Sequence, residues 1–304
     1  MSDDTPIFAA ARQASEIMHG NGLRLERPSE PRVMCIANQK GGVGKTTTAV
    51  NLAAALAAGG LGVLVIDLDP QGNASTALGV DHSEGTPSSY NLLLWEQNFQ
   101  ELAQQSPTNP NLYCIPATID LAGAEIELVS MFSRERRLAE VLVPEDLRAL
   151  GIDYVFVDCP PSLGLLTLNA MVAAKEILVP IQCEYYALEG VTQLLRNVDL
   201  VTEALNKSLA VSTVMLTMYD ARTNLSHQVA DEVRQHFGTK VLRNVIPRNI
   251  KISEAPSYNQ TILDYDPGSK GALAYIDAAK EMNERYIAEF GALATADEDE
   301  ENES

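Results

Sequence analysis

Short apolar runs and longer stretches of helical period alternate along most of this chain. Residues 33–37, 63–67, 112–115, 154–158, 176–181 and 211–218 are dense in Val, Ile, Leu and Cys, and they read as buried strands. Between and after them, residues 49–58, 121–128, 135–142, 165–174, 187–205, 226–237 and 272–290 carry apolar positions at helical spacing. Gly59-Gly60 stops the first of these helices. Residues 80–110 are rich in turn formers around a predicted helix at 91–105. A short strand is expected near Val241, and a loop over 247–268 precedes the last helix. No internal repeat interrupts the alternation. The pattern predicts an α/β fold: one doubly wound, mostly parallel sheet with helices on both faces, and ligands at the C-terminal ends of the strands.

Three segments follow. Residues 1–32 form a leader with a possible short helix over 6–18, residues 33–291 form the folded domain, and residues 292–304 form an acidic tail expected to lack structure.

Composition changes this picture in two ways. Hydrophobic content of 46% supports a large core. The formal net charge of −19 argues against nucleic acid as a partner if taken as an average. The average conceals a basic stretch, however: Arg234, Lys240, Arg243, Arg248 and Lys251 follow Glu232 with no intervening acid. The four cysteines lie far apart without a C-x-x-C pair, which fits buried thiols in a reducing compartment. No apolar run has the length of a membrane span, and the N-terminus lacks a secretory pattern, so the expected location is cytoplasmic.

The first strand leads into Gln39-Lys40-Gly41-Gly42-Val43-Gly44-Lys45-Thr46-Thr47, and a helix follows. Strand, glycine loop and helix make a phosphate-binding loop. Glycines let backbone N–H groups turn inward, and the helix N-terminus adds positive potential where a phosphate would sit. Lys45 can reach the β- and γ-phosphates of a bound triphosphate, and the Thr46 hydroxyl can ligate Mg²⁺. Asp158 ends the strand at 154–158, where a carboxylate would hold the Mg²⁺ shell. Asp67 and Asp69 end another strand on the same side of extended backbone, one suited to Mg²⁺-bound water and one to the attacking water.

The glycine loop departs from the usual P-loop pattern, because Gln39 stands where the first glycine belongs and Lys40 stands beside it. In this it resembles the ParA/MinD class of P-loop ATPases, which includes the nitrogenase iron protein. The segments 39–48, 67–75, 115–118, 121–128, 158–164, 182–190, 220–224 and 246–257 look like those of chromosomal, Soj-type ParA proteins, over about residues 33–290. The resemblance implies a P-loop NTPase fold and an ATP-bound homodimer that sandwiches two nucleotides. In it Lys40 reaches the partner's phosphates and Asp69 activates water, while Thr46, Asp67 and Asp158 serve the metal. Gly41, Gly42, Val43, Gly44, Lys45, Thr46 and Thr47 cradle the phosphates, with Pro247 and Asn249 at the adenine. It implies non-specific binding of double-stranded DNA through Arg222 and Lys251, a nucleoid-associated location, and a ParB-type partner with a short basic N-terminal segment that stimulates hydrolysis. Many relatives carry arginine where this chain has Lys251, which keeps the charge but not the bidentate fork.

A MinD-like membrane-cycling ATPase is the alternative, and it needs a basic amphipathic C-terminal helix. This chain ends in acids. A cluster-bearing reductase needs bridging thiolates, and Cys159 has no evident second ligand in the sequence.

Overall fold

A computed structural model describes residues 23–185 and 187–293. The helix expected over 6–18 and the tail from 294 lie outside them. Seven strands form one sheet: β1 (Arg32–Ile36), β2 (Gly62–Asp67), β3 (Gln104–Gln105), β4 (Leu112–Ile115), β5 (Ile152–Asp158), β6 (Glu176–Gln182) and β7 (Ala210–Thr217). Their order is β3-β4-β2-β5-β1-β6-β7, and every neighbouring pair is parallel except the two-residue β3 against β4. The strands β2, β5 and β1 are therefore adjacent. Register places Asp67 opposite Asp158 and Asp158 opposite Ile36, so the ends of all three strands lie side by side.

Alternation along the strands divides the core in two. Met34 and Ile36 face helices α1 (Lys45–Ala58) and α13 (Lys270–Phe290). Val33 and Cys35 face the other layer, which contains α3 (Ser89–Leu93) and α4 (Phe99–Leu102), α5 (Leu121–Val129), α6 (Arg137–Val141) and α7 (Pro144–Ala149), α8 (Leu165–Ala173), α9 (Ala187–Ala204) and α10 (Asn224–Phe237). α1 is nearly all alanine, leucine and valine beyond its first turn, and it is buried almost throughout. A helix that is apolar all round belongs in the middle of a core, and here it packs against β2, β5 and α13.

At the N-terminal edge of the sheet, Arg32 is buried and forms a two-pronged pair with Glu176 at 2.8 and 2.6 Å. It also donates to the Tyr154 hydroxyl at 2.9 Å and lies over the rings of Tyr154 and Tyr286. This polar knot stands at the opposite end of β1 from the glycine loop.

Three local expectations change. The helix predicted over 91–105 is broken into α3, α4 and β3. The break falls at Trp95, whose φ is 59°; its indole donates to the Arg137 carbonyl and its ring lies under the Arg137 guanidinium. A tertiary contact overrides local helix propensity there. The strand expected near Val241 is a single bridge to Val214, and a second single bridge joins Pro247 to Tyr219 along the same edge. The loop over 247–268 folds into α11 (Ile250–Glu254), a 3₁₀ turn (Ala255–Tyr258) and α12 (Ile262–Tyr265). Asn249 caps α11 and Thr261 caps α12. The remaining short helix, α2 (Asn73–Ala77), follows the Asp67–Asp69 segment.

Candidate functional site

The glycine loop leaves β1 at its C-terminal end and closes on the first turn of α1. Asn38 ties the loop to the sheet, donating to the Pro180 carbonyl at 2.8 Å and accepting from Lys40 N–H at 3.0 Å. Gly42 and Gly44 take φ of 74° and 91°, values that a side chain would strain. A Cβ on Gly41 or Gly42 would meet nothing within 4 Å, so their backbone faces open space. Val43 is buried, and its carbonyl accepts the Thr217 hydroxyl at 2.8 Å, which pins the loop to the end of β7. Lys45 is buried, and Thr46 and Thr47 lie half-buried beside it. Lys40 packs its Cβ side toward Gly190 at the start of α9 and forms no ion pair among the described residues.

Asp158 reaches this loop from β5. Its side chain is fully buried, and neither carboxylate oxygen has a hydrogen-bond partner. Burial pushes its pKa well up, and the nearby Asp67 adds to this; the Thr46 hydroxyl and the Lys45 ammonium pull the other way. The Lys45 ammonium is itself lowered by burial, against the pull of Asp158, Cys159 and Asp69. A carboxyl and an amine thus stand desolvated near each other beside an open glycine backbone. A divalent cation and an anionic phosphate chain would complete both.

The two other acids differ from each other. Asp67 is fully buried and accepts from Ser75 N–H at 2.9 Å, the Ser75 hydroxyl at 2.7 Å and Asp69 N–H at 3.1 Å. Burial lifts it to about 6 in spite of these bonds. Asp69 is half-exposed, and its Oδ1 accepts from Gln71 N–H at 3.0 Å. Asp67 therefore organises the turn into α2, while Asp69 stays half-exposed and spends only Oδ1 on its own turn. Ser75 also accepts from Ala117 N–H, which links this turn to the end of β4.

Pro247 and Asn249 lie beyond Thr217 along the β7 edge. They line a pocket of about 360 Å³ with Arg248, Lys251, Asp266 and Lys270. Two candidates assigned to nucleotide thus share a pocket with one assigned to DNA. Both DNA candidates are engaged: Arg222 is 88% exposed yet holds Asp220 at 2.8 Å, and Lys251 pairs with Asp266. Arg248 pairs with Glu184. The basic residues of 234–251 are therefore spread over several elements, and each of Arg234, Arg243, Arg248 and Lys251 has an acid beside it.

Sequence reasoning passed over Ser75, Thr217 and Asn38, whose roles are contacts across the fold. It also saw no second thiol beside Cys159. Cys35 stands there, with its Sγ 3.5 Å away. Both thiols are buried, so neither is placed to bridge two subunits through a cluster, and no group of three or more candidate metal-ligating side chains occurs among the described residues. No described helix is long and apolar enough to cross a membrane.

A protein-family model described as an AAA domain matches residues 31–211. The sporulation initiation inhibitor protein Soj of Bacillus subtilis is 51% identical over 251 residues, covering 83% of this chain and 98% of that one. The chromosome partitioning protein ParA of Myxococcus xanthus is 49% identical over 255 residues, covering 84% and 88%. Among solved structures, a cobyrinic acid a,c-diamide synthase from Mycobacterium smegmatis with bound ADP and magnesium superposes with a TM-score of 0.73 at 36% identity. That match covers 88% of this chain and 99% of that one.

Proposed function

The chain belongs to the Soj/ParA family of chromosome-partitioning proteins, and from that premise we propose that it is an ATP-dependent switch that dimerises around nucleotide, grips DNA without sequence preference, and lets go on hydrolysis. It is a Mg²⁺-dependent ATPase of the P-loop class, in keeping with its ATPase relatives and with the ADP and magnesium bound by a structural neighbour.

The observation that carries this reading is the pair of partnerless, buried Asp158 oxygens next to Lys45 and Thr46. Thr46 and Asp158 would hold Mg²⁺, which supplies charge neutralisation at the β- and γ-phosphates when bound. Gly41, Gly42, Val43, Gly44 and Thr47 offer backbone donors to the phosphates, and Lys45 neutralises them from the α1 side. Asp67 holds the turn that carries Asp69. Asp69 orients the attacking water and takes its proton as the water oxygen bonds to the γ-phosphorus. The bond to the bridging oxygen breaks, and ADP and inorganic phosphate leave. Pro247 and Asn249 receive the adenine. Lys40 acts on the nucleotide of the second subunit, which makes ATP the link between protomers. Arg222 and Lys251 take DNA phosphates, and a ParB-type partner accelerates turnover. The protein is then nucleoid-bound in its ATP form.

Sedimentation with ATP or ADP, with and without non-specific duplex DNA, tests the reading. ATP should produce a dimer that co-sediments with DNA, and Lys45→Ala should abolish both. A wild-type protein that stays monomeric in ATP would overturn it.

A further inference from the structure

Thr217 stands where three parts of the site meet. It is buried at the end of β7, and its hydroxyl donates to the Val43 carbonyl at 2.8 Å. A Cβ on Gly44 would stand 3.9 Å from the Thr217 methyl group. The peptide joining Val43 to Gly44 is trans, so its carbonyl and its N–H point in opposite directions. By holding the carbonyl toward β7, Thr217 aims the Gly44 N–H away from β7.

The backbone of Thr217 has a second connection. Its carbonyl accepts from Cys183 N–H at 3.0 Å, the last bond between β7 and the β6 side of the sheet. Two residues later the chain has changed partner. Tyr219 N–H donates to the Ile246 carbonyl, and the Tyr219 carbonyl accepts from Arg248 N–H, both at 3.0 Å. The change is made at Met218, whose φ of 52° lies in the left-handed region that a residue with a Cβ enters only under constraint. Beyond it, Asp220 closes the turn that carries Arg222, accepting from Arg222 N–H at 3.0 Å. Asp220 N–H in turn donates to the Ser226 hydroxyl at 3.3 Å, at the start of α10. Thr217 is thus bonded through its side chain to the glycine loop. Through one strained residue it is joined to the turn that bears Arg222.

We propose that Thr217 is a positioning residue that couples the glycine loop to the Tyr219–Arg222 turn, with Met218 as the hinge between them. The Val43–Gly44 peptide turns as a rigid unit when its N–H is drawn to a phosphate, and its carbonyl carries the Thr217 hydroxyl with it. The movement passes to Met218, where the backbone is already held away from its preferred regions. The proposal deepens the reading above by naming a residue that links its two ligand surfaces, and it rests on that reading for the identity of those ligands.

Thr217→Val keeps the shape of the side chain and removes the hydroxyl, whereas Thr217→Ser keeps the hydroxyl. Hydrogen exchange of the full chain, with and without ADP and Mg²⁺, reads the link without any contribution from DNA. In the wild type and in Thr217→Ser, saturating ADP should slow exchange of the 219–223 amides at least about threefold. In Thr217→Val the glycine loop should still be protected by ADP, while the 219–223 amides keep their nucleotide-free rates. A hydroxyl that only stabilised the fold would lower the thermal midpoint and leave the ADP response of 219–223 in place. Met218→Gly keeps every bond of Thr217 but relaxes the hinge, and it too should lose the response. A full response in either Thr217→Val or Met218→Gly, or none in the wild type, would overturn the proposal. Duplex DNA should also tighten binding of a fluorescent, non-hydrolysable ATP analogue to the wild type, and Thr217→Val should bring that gain close to onefold. No gain in a wild type that shows the exchange response would fault the DNA assignment of Arg222 and Lys251, and the link from Thr217 would stand.

Discussion

At the scale of single residues, the site is defined by what its acids lack. Asp67 and Asp158 are equally buried and opposite each other in register, yet one is fully bonded and the other has no partner. A buried, partnerless polar group destabilises the protein that carries it by about 1–3 kcal/mol, and by more when it is charged. Asp158→Asn should therefore raise the thermal midpoint of the nucleotide-free protein while abolishing Mg²⁺-dependent ATP turnover, as checked by calorimetry and phosphate release. A drop in both would mean that Asp158 holds the fold rather than the metal. The residues of the loop and of the strand ends were legible in the sequence because each belongs to a motif of a few consecutive positions. Thr217 was not, since it meets Val43 across 174 residues, and neither was Cys35, which meets Cys159 across 124. No local pattern encodes such meetings.

At the scale of elements, strands β1, β2 and β4–β7 fell close to where apolar runs put them, because burial on both faces leaves an uninterrupted signature. The short helices of 80–110 and 247–268 did not. They are one turn or little more, set by caps such as Asn98, Asn249 and Thr261 and by contacts such as Trp95 with Arg137. The second of these segments holds Lys251, one of the two proposed DNA cations, and the structure closes both Lys251 and Arg222 on acids of their own chain. Those pairs are exposed, so each is weak, and phosphate can compete for the cation. Asp266→Ala should free Lys251 and tighten ATP-dependent DNA binding by roughly two- to fivefold at low salt, with a smaller gain at high salt. Arg222→Glu with Lys251→Glu should eliminate binding and leave the dimer. Electrophoretic shifts over a salt series would decide; an unchanged affinity in Asp266→Ala would remove Lys251 from the interface.

At the scale of the whole molecule, the sheet separates chemistry from stability. Nucleotide candidates gather at the C-terminal ends of the strands, and the Arg32–Glu176–Tyr154 knot lies at the N-terminal ends. Burial raises the Glu176 carboxyl, but the Arg32 guanidinium more than reverses this and holds it below the usual range. A lowered carboxyl stabilises the fold above its unfolded pKa, and that contribution is lost as the pH falls through the lowered value. Arg32→Ala leaves Glu176 part-buried and without its guanidinium partner, a loss of at most about 3–5 kcal/mol, the cost of a broken, fully buried pair. Denaturant unfolding at neutral pH should show it, with ATP turnover per folded molecule unchanged. A selective loss of turnover would instead mean that the two ends of the sheet communicate.

The edges of that sheet set a limit on how these molecules can gather. One edge ends in β3, two residues long and antiparallel; the other is stoppered by the lone bridges at Val241 and Pro247. Neither offers the long open ladder along which strands of neighbouring molecules zip together. Under the function proposed above, the protein gathers along DNA and then disperses, and so meets its own kind at high local density. Here the backbone gives such neighbours nothing to hold, so crowding is left reversible.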